Sequence, residues 1–93
     1  MKAFKTGSLM MTPGVLEKSE SDNDFAKFVA RSLGQYLRAD WGEMCAQDRS
    51  ENDRALKFND GRLFAAYLSG EMKIWIITEA DRSVTTVLLP EEY

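Results

Sequence analysis

Arg62-Leu63-Phe64-Ala65-Ala66-Tyr67-Leu68-Ser69-Gly70-Glu71-Met72-Lys73-Ile74-Trp75-Ile76-Ile77-Thr78 is the stretch that decides the fold. Two runs rich in aromatic and β-branched residues, 62–68 and 72–78, flank the turn formers Ser69-Gly70-Glu71, the pattern of an antiparallel hairpin. Ile74-Trp75-Ile76-Ile77 is apolar at both parities, so both sides of this strand need cover, as in the centre of a sheet. Downstream, residues 79–83 make a second connection with Ala80-Asp81-Arg82 at its tip, and 84–89 form a third strand. Pro90 ends the pairing because it has no N–H for the ladder. Upstream, Asn59-Asp60-Gly61 is a turn signal that opens the first strand. The last third of the chain therefore reads as a β-meander.

Before the meander, Phe25, Phe28, Val29, Leu33, Tyr36 and Leu37 recur at helical spacing, with Lys27, Arg31, Gln35 and Arg38 on the opposite side, which predicts an amphipathic helix over 24–38. Ser21 or Asp22 supplies the N-cap, and Asp24 puts a negative charge in the first turn. Asp40-Trp41-Gly42 is the stop, with Gly42 free to take a positive φ. Gly34 inside the helix costs about 1 kcal/mol against Ala, which predicts the close approach of another element there. Residues 43–57 hold few apolar positions around the polar run 47–54 and read as a short exposed helix. Phe4, Leu9, Met10, Met11, Val15 and Leu16, set among Gly7, Ser8, Pro13 and Gly14, read as one or two short strands within 2–16, and 17–23 as a surface connector.

The expected architecture is a single α+β domain over 1–93. Its amphipathic helix and a short second helix pack on a three- or four-stranded, mainly antiparallel sheet. One helix can cover one face only. The N-terminal strands, the second helix or another copy of the chain must cover the other, so a homodimer or partner surface is an expectation of the pattern.

Composition narrows function by exclusion. The chain has 93 residues, 44% apolar and 29% charged, the size of one small globular domain. Twelve basic residues against fifteen acidic ones give −3, which argues against direct binding to nucleic acid or anionic membrane, since both need clustered Lys and Arg. From Glu43 onward there are six basic and ten acidic residues, a mild acidic bias. There is no His, and Cys45 is the one cysteine, so Cys/His zinc sets, an internal disulfide and a Ser-His-Asp triad are all ruled out. With no secretory leader and no apolar run long enough to span a bilayer, the reading is cytoplasmic.

Any catalysis would have to run on carboxylates, Lys, Arg, Tyr or an oxygen-held metal. Glu43, Asp48, Glu51 and Asp53 lack the spacing and glycine of a Ca²⁺ loop and read as a solvated helix face. Cys45, with no partner in sequence, reads as inert packing. No dinucleotide, P-loop, serine-hydrolase or zincin motif occurs, so no catalytic residue, cofactor or metal is assigned.

The candidate partner-binding residues are Trp41, Asp81, Arg82, Glu91, Glu92 and Tyr93. Arg82, at a hairpin tip beside Thr85 and Thr86, could hold a carboxylate or phosphate in bidentate fashion, although turn chemistry accounts for Asp81 equally well. Trp41 is a core anchor if buried and a natural hot spot if exposed. Glu91, Glu92 and Tyr93 make an acidic, aromatic end after Pro90.

The run from Lys73 to Tyr93, together with Phe25-Ala26-Lys27-Phe28-Val29, Asp40-Trp41-Gly42, Asn52 and Ala66-Tyr67, resembles an uncharacterised family of small bacterial plasmid-related proteins. The resemblance spans about Thr6 to Tyr93. Some members of that family carry the label of type I restriction methylation subunits. A chain of 93 residues with no Gly-rich cofactor loop and no Asn-Pro-Pro motif cannot house a methyltransferase. What the resemblance implies is a mobile-element setting in bacterial cytoplasm, where small accessory proteins act mostly by binding.

Two readings follow from different classes. One is a non-catalytic protein that binds another protein, such as a host restriction or CRISPR nuclease. Its acidic half would steer it toward a basic channel, and −3 is too little charge for a DNA mimic, so a shape-specific interface is the form expected. The other is a ribonuclease toxin, because the order strand, helix, helix, antiparallel meander is similar to the RelE-like fold. Arg62, Lys73, Arg82 and Tyr93 would then position phosphate and move protons without His. Against it, such toxins are basic and this chain is acidic.

Overall fold

In the computed structural model, which describes residues 4–93, the chain runs β1 (Ser8–Met11), α1 (Pro13–Ser21), α2 (Asn23–Leu37), α3 (Ala46–Phe58), β2 (Leu63–Ser69), β3 (Met72–Thr78) and β4 (Val84–Leu88), and ends in a 3₁₀ turn, Pro90–Glu92. The four strands form one mixed sheet in the order β1-β4-β3-β2. The meander pairs are antiparallel, and β1 lies parallel to β4. The fold is α+β with a mostly antiparallel sheet and β3 inside it, as the hairpin sequence requires. Among the described residues, no helix is long and apolar enough to cross a membrane.

The first third departs from the sequence reading. Among the described residues of that stretch only 8–11 form a strand, Lys2 and Ala3 lie outside the described residues, and the part read as strand end and connector is helix α1. Thr12 is its N-cap, with Oγ1 accepting from the Val15 N–H, and Pro13 stands in the first turn, where its missing N–H is no loss. The Glu92 carboxylate completes this end by accepting from the Gly14 N–H and the Thr12 hydroxyl. That second cap comes from the far end of the chain.

Asp22 is the N-cap of α2, and its Oδ1 accepts from the Asp24 and Phe25 N–H groups at 3.0 and 3.2 Å. The helix ends at Leu37 and is closed at Ala39, three residues before the expected glycine. Ala39 takes the left-handed conformation at φ 62°, with its N–H on the Tyr36 carbonyl and the Asp40 N–H on that of Gln35, a Schellman close on a non-glycine residue. Gly42 does have positive φ, 74°, for a different reason. It bridges to Ala66 of β2, and a Cβ there would overlap the Ala66 carbonyl oxygen and the Tyr67 ring. Gly34, by contrast, has no other element near it, since a Cβ would meet only the Arg38 guanidinium at 3.6 Å. The expected close approach is at Gly42.

Helices α1 and α2 cover one face of the sheet. Val15, Phe25, Phe28, Val29 and Tyr36 pack there against Leu63, Ala65, Tyr67, Ile74, Ile76 and Val87. Trp41 joins this core, 5.5 Å from the Tyr36 ring and 6.0 Å from that of Phe4. The buried polar groups form a line. Thr85 Oγ1 donates to the Thr6 carbonyl at 2.8 Å, Thr78 Oγ1 lies 2.7 Å from Thr85 Oγ1, and the Tyr36 hydroxyl lies 2.5 Å from Thr78 Oγ1. A carbonyl only accepts and each hydroxyl has one proton, so the direction is fixed: Tyr36 donates to Thr78, Thr78 to Thr85, and Thr85 to the backbone. Burial pushes the Tyr36 phenol up to about 12.

Helix α3 does not cover the second face of the sheet. It sits along the edge of β2, where the Asn52 amide donates to the Phe64 carbonyl at 2.7 Å and accepts from the Phe64 N–H at 3.2 Å. The Ala66 N–H and carbonyl are taken by the Trp41 carbonyl and the Glu43 N–H. At Phe64 and Ala66 this sheet edge is closed.

Candidate functional site

The face of the sheet turned away from α1 and α2 carries the even-numbered residues of β2 and β4 and the odd-numbered residues of β3. Leu88 and Ile77 are buried there, while Phe64, Trp75 and Thr86 are partly open. Among the described residues, what lies over it is the chain's own end. The Tyr93 ring meets Trp75 edge-on at 5.5 Å, and Phe64 lies 5.0 Å from Trp75 on the other side. The Arg62 guanidinium stands 5.9 Å from the centre of the Tyr93 ring and donates to its hydroxyl at 3.3 Å, a cation–π contact with a hydrogen bond at the rim. That bond holds the Arg62 proton more firmly than usual. Tyr93 remains 70% exposed and Leu68 50%. The result is an aromatic strip, Phe64-Trp75-Tyr93, with Arg62 at its edge and Leu68 and Lys73 farther along the same face.

Where β2 begins, this face runs into an open groove of about 430 Å³ between α3 and β2, lined by Met44, Asp48, Glu51, Asn52, Asp60, Arg62 and Phe64 among others. Its walls combine carboxylates with apolar surface. The groove and the strip share Phe64 and Arg62. A second cleft, about 320 Å³, lies between α2 and the far end of β2 and is lined by Arg31, Gln35, Asp40, Glu43 and Ser69 among others. Two of its polar groups already satisfy each other, with the Gln35 amide donating to Asp40 Oδ2 at 3.0 Å.

The sequence-derived candidates separate in space. Trp41 is buried, and its indole N–H donates to Asp53 Oδ1 at 2.9 Å, tying the loop after α2 to α3. Arg82 adopts φ 61° and directs its guanidinium inward to four carbonyls, those of Gly61, Ala55, Glu79 and Ala80 at 2.7–3.3 Å. It closes the end of α3 and the hairpin turn together, so it has no free fork to offer a phosphate. Asp81 is exposed, and its Oδ1 accepts from the Ser83 N–H at 2.9 Å. The Ser83 hydroxyl, together with that backbone bond, holds its carboxyl below the usual carboxylate range. Glu92 caps α1 and is lowered chiefly by the Thr12 hydroxyl. Glu91 is exposed. Of the six, Tyr93 alone belongs to the strip.

Of the ribonuclease set, Arg62 and Tyr93 are in contact and Lys73 shares their face, while Arg82 is engaged elsewhere. Cys45 is exposed at the start of α3, contrary to the packing expected of it, because the chain turns into the helix there with its side chain outward. Among the described residues, no three carboxylates or thiols converge as a metal set.

Phe64 and Trp75 belong to the strip without being among the sequence-derived candidates. The available signal was that 63–68 is apolar or aromatic at both parities, like 74–77. No protein-family model matches the chain, and no curated protein or solved structure is significantly similar to it.

Proposed function

We propose that the chain acts by binding another protein through the aromatic strip Phe64-Trp75-Tyr93 and the acidic groove beside it. The observation that carries this reading is that, among the described residues, no α-helix lies over this sheet face, which displays Trp, Tyr and Phe with an Arg at the rim. Those residue types dominate the energetics of protein interfaces. Asp48, Glu51 and Asp60 in the groove favour a partner that presents basic side chains, whose aliphatic stems would lie against Met44 and Phe64. A nuclease that holds nucleic acid in a basic channel meets that description. The finer proposal is therefore an accessory protein of a bacterial mobile element, working in the cytoplasm, that blocks a host restriction or CRISPR nuclease. The net charge of −3 supports steering rather than mimicry of DNA.

The alternative, a RelE-like ribonuclease, draws support from the Arg62–Tyr93 contact. One experiment separates the two. The chain is expressed in hosts carrying restriction or CRISPR systems, and uptake of susceptible plasmid DNA is scored together with growth and RNA integrity. Rescue of uptake by ten-fold or more, lost on Phe64→Ser with Tyr93→Ala, supports binding. Growth arrest with cleaved transcripts and no rescue refutes it in favour of the ribonuclease.

A further inference from the structure

The two edges of the sheet differ along most of their length. At the β2 edge, the outward N–H and C=O groups of Phe64 and Ala66 all have partners. At the β1 edge, the Ser8 N–H bonds to the carbonyl of Ser83, just before β4, and the Thr12 N–H to that of Val87 within it. By the alternation of a strand, Leu9 and Met11 then direct their backbone groups away from the sheet. Among the described residues nothing meets those groups. All four residues of β1 are exposed, and none is a charge, a proline or a bulge of the kind that blunts a free edge. Leu9, Met10 and Met11 are 51%, 52% and 39% exposed, and Leu16, in the helix that follows, 50%. Four of the molecule's exposed large apolar side chains thus lie within eight residues of one edge.

We propose that this edge pairs with β1 of a second copy, antiparallel about Met10, to make one continuous eight-stranded sheet in a symmetric dimer. The register is self-complementary. Leu9 of each copy faces Met11 of the other as a hydrogen-bonded pair, both exchanging N–H and C=O, and Met10 faces its own counterpart on the two-fold axis. Every outward backbone group of β1 finds a partner in that arrangement, and no other register of this four-residue strand with itself achieves it. Charge agrees with the pairing. The end of β1 that follows exposed Lys5 comes against the end where Glu92 caps Thr12 and Gly14 and Glu91 stands exposed. Asp81, on the neighbouring turn, already has one oxygen on the Ser83 N–H. Two such copies would carry their aromatic strips on the same side of the joined sheet, so a partner with two sites would be held bivalently. The dimer itself does not depend on that partner.

Sedimentation velocity on the whole chain from micromolar to millimolar concentration tests the proposal. The contact is short, so a reversible dimer of micromolar strength is expected. Met10→Lys and Met10→Glu place like charges on the axis, and each is expected to be monomeric with an unchanged near-ultraviolet Trp signal. An equimolar mixture of the two is expected to recover the dimer, while Leu68→Lys, at the opposite edge of the sheet, stays dimeric. A wild-type chain that is monomeric throughout overturns the proposal, and that measurement needs no variant. So does a dimer that either Met10 variant leaves intact, or a Lys/Glu mixture that stays monomeric.

Discussion

Thr78→Val tests the direction assigned to the buried hydroxyl line. The substitution keeps the shape of the side chain and removes the acceptor of the Tyr36 proton, leaving a fully buried hydroxyl with no partner. An orphaned buried donor costs about 1–3 kcal/mol. Tyr36→Phe removes the donor instead. Thr78 still donates to Thr85 and Thr85 to the Thr6 carbonyl, so only the net value of one bond is lost, about 0.5–1.5 kcal/mol. In the double variant no donor is orphaned, because Thr85 keeps its carbonyl. It should therefore be at least as stable as Thr78→Val alone. Urea unfolding followed by Trp fluorescence gives the cycle, with an expected coupling of about 1–2 kcal/mol. In a domain of this size Thr78→Val should lower Tm by roughly 4–20 °C. Strictly additive single effects, or a Tyr36→Phe variant less stable than Thr78→Val, would refute the direction of the line.

Gly34→Ala should raise stability by about 1 kcal/mol, because the new Cβ has room beside the Arg38 guanidinium, whereas Gly42→Ala should lower Tm sharply through collision with the Ala66 carbonyl. Thermal melts of both variants check the pair. Stability should fall in alkali: the unfolded chain loses tyrosine protons from about pH 10, while folded Tyr36 holds its proton to about 12 and burial raises Tyr67 as well. Each group then removes up to about 1.4 kcal/mol per pH unit through that window. Denaturant midpoints from pH 9 to 12 read the slope, and Tyr36→Phe should reduce it. Cys45 should react with a maleimide in the folded chain as fast as in urea, given its exposure, and a folded-state rate lower by a hundred-fold would contradict that placement.

The elements legible in the sequence are those whose signals are local. Asp22 with Asp24, the period of Phe25 to Tyr36, and the Ser69-Gly70-Glu71 turn each act within a few residues. Helix α1 has a local signature in Thr12-Pro13, but its first turn is completed by Glu92 from the end of the chain, and it buries Val15 alone, too little for a period to stand out. The parallel pairing of β1 with β4 spans most of the chain and leaves no local mark. For the site, Trp41 and Arg82 looked available because their partners, Asp53 and the carbonyls of Ala55 and Gly61, reach them only after α3 has docked on β2.

The apolar character of β3 at both parities carries the remaining lesson. A residue such as Ile76 and a residue such as Trp75 are equally apolar in sequence, yet one lies under α2 and the other under the last residue of the chain. Periodicity reports how much of a strand avoids water and not what lies over it. The number of helices able to cover the sheet separates the two cases. Among the described residues there are three α-helices, but α3 is drawn to the β2 edge by Asn52 and by the Gly42–Ala66 bridge, and α1 joins α2 on the face already covered. A single buried amide therefore does more than close an edge. By fixing α3 beside the sheet, it leaves Phe64, Trp75 and Tyr93 as surface.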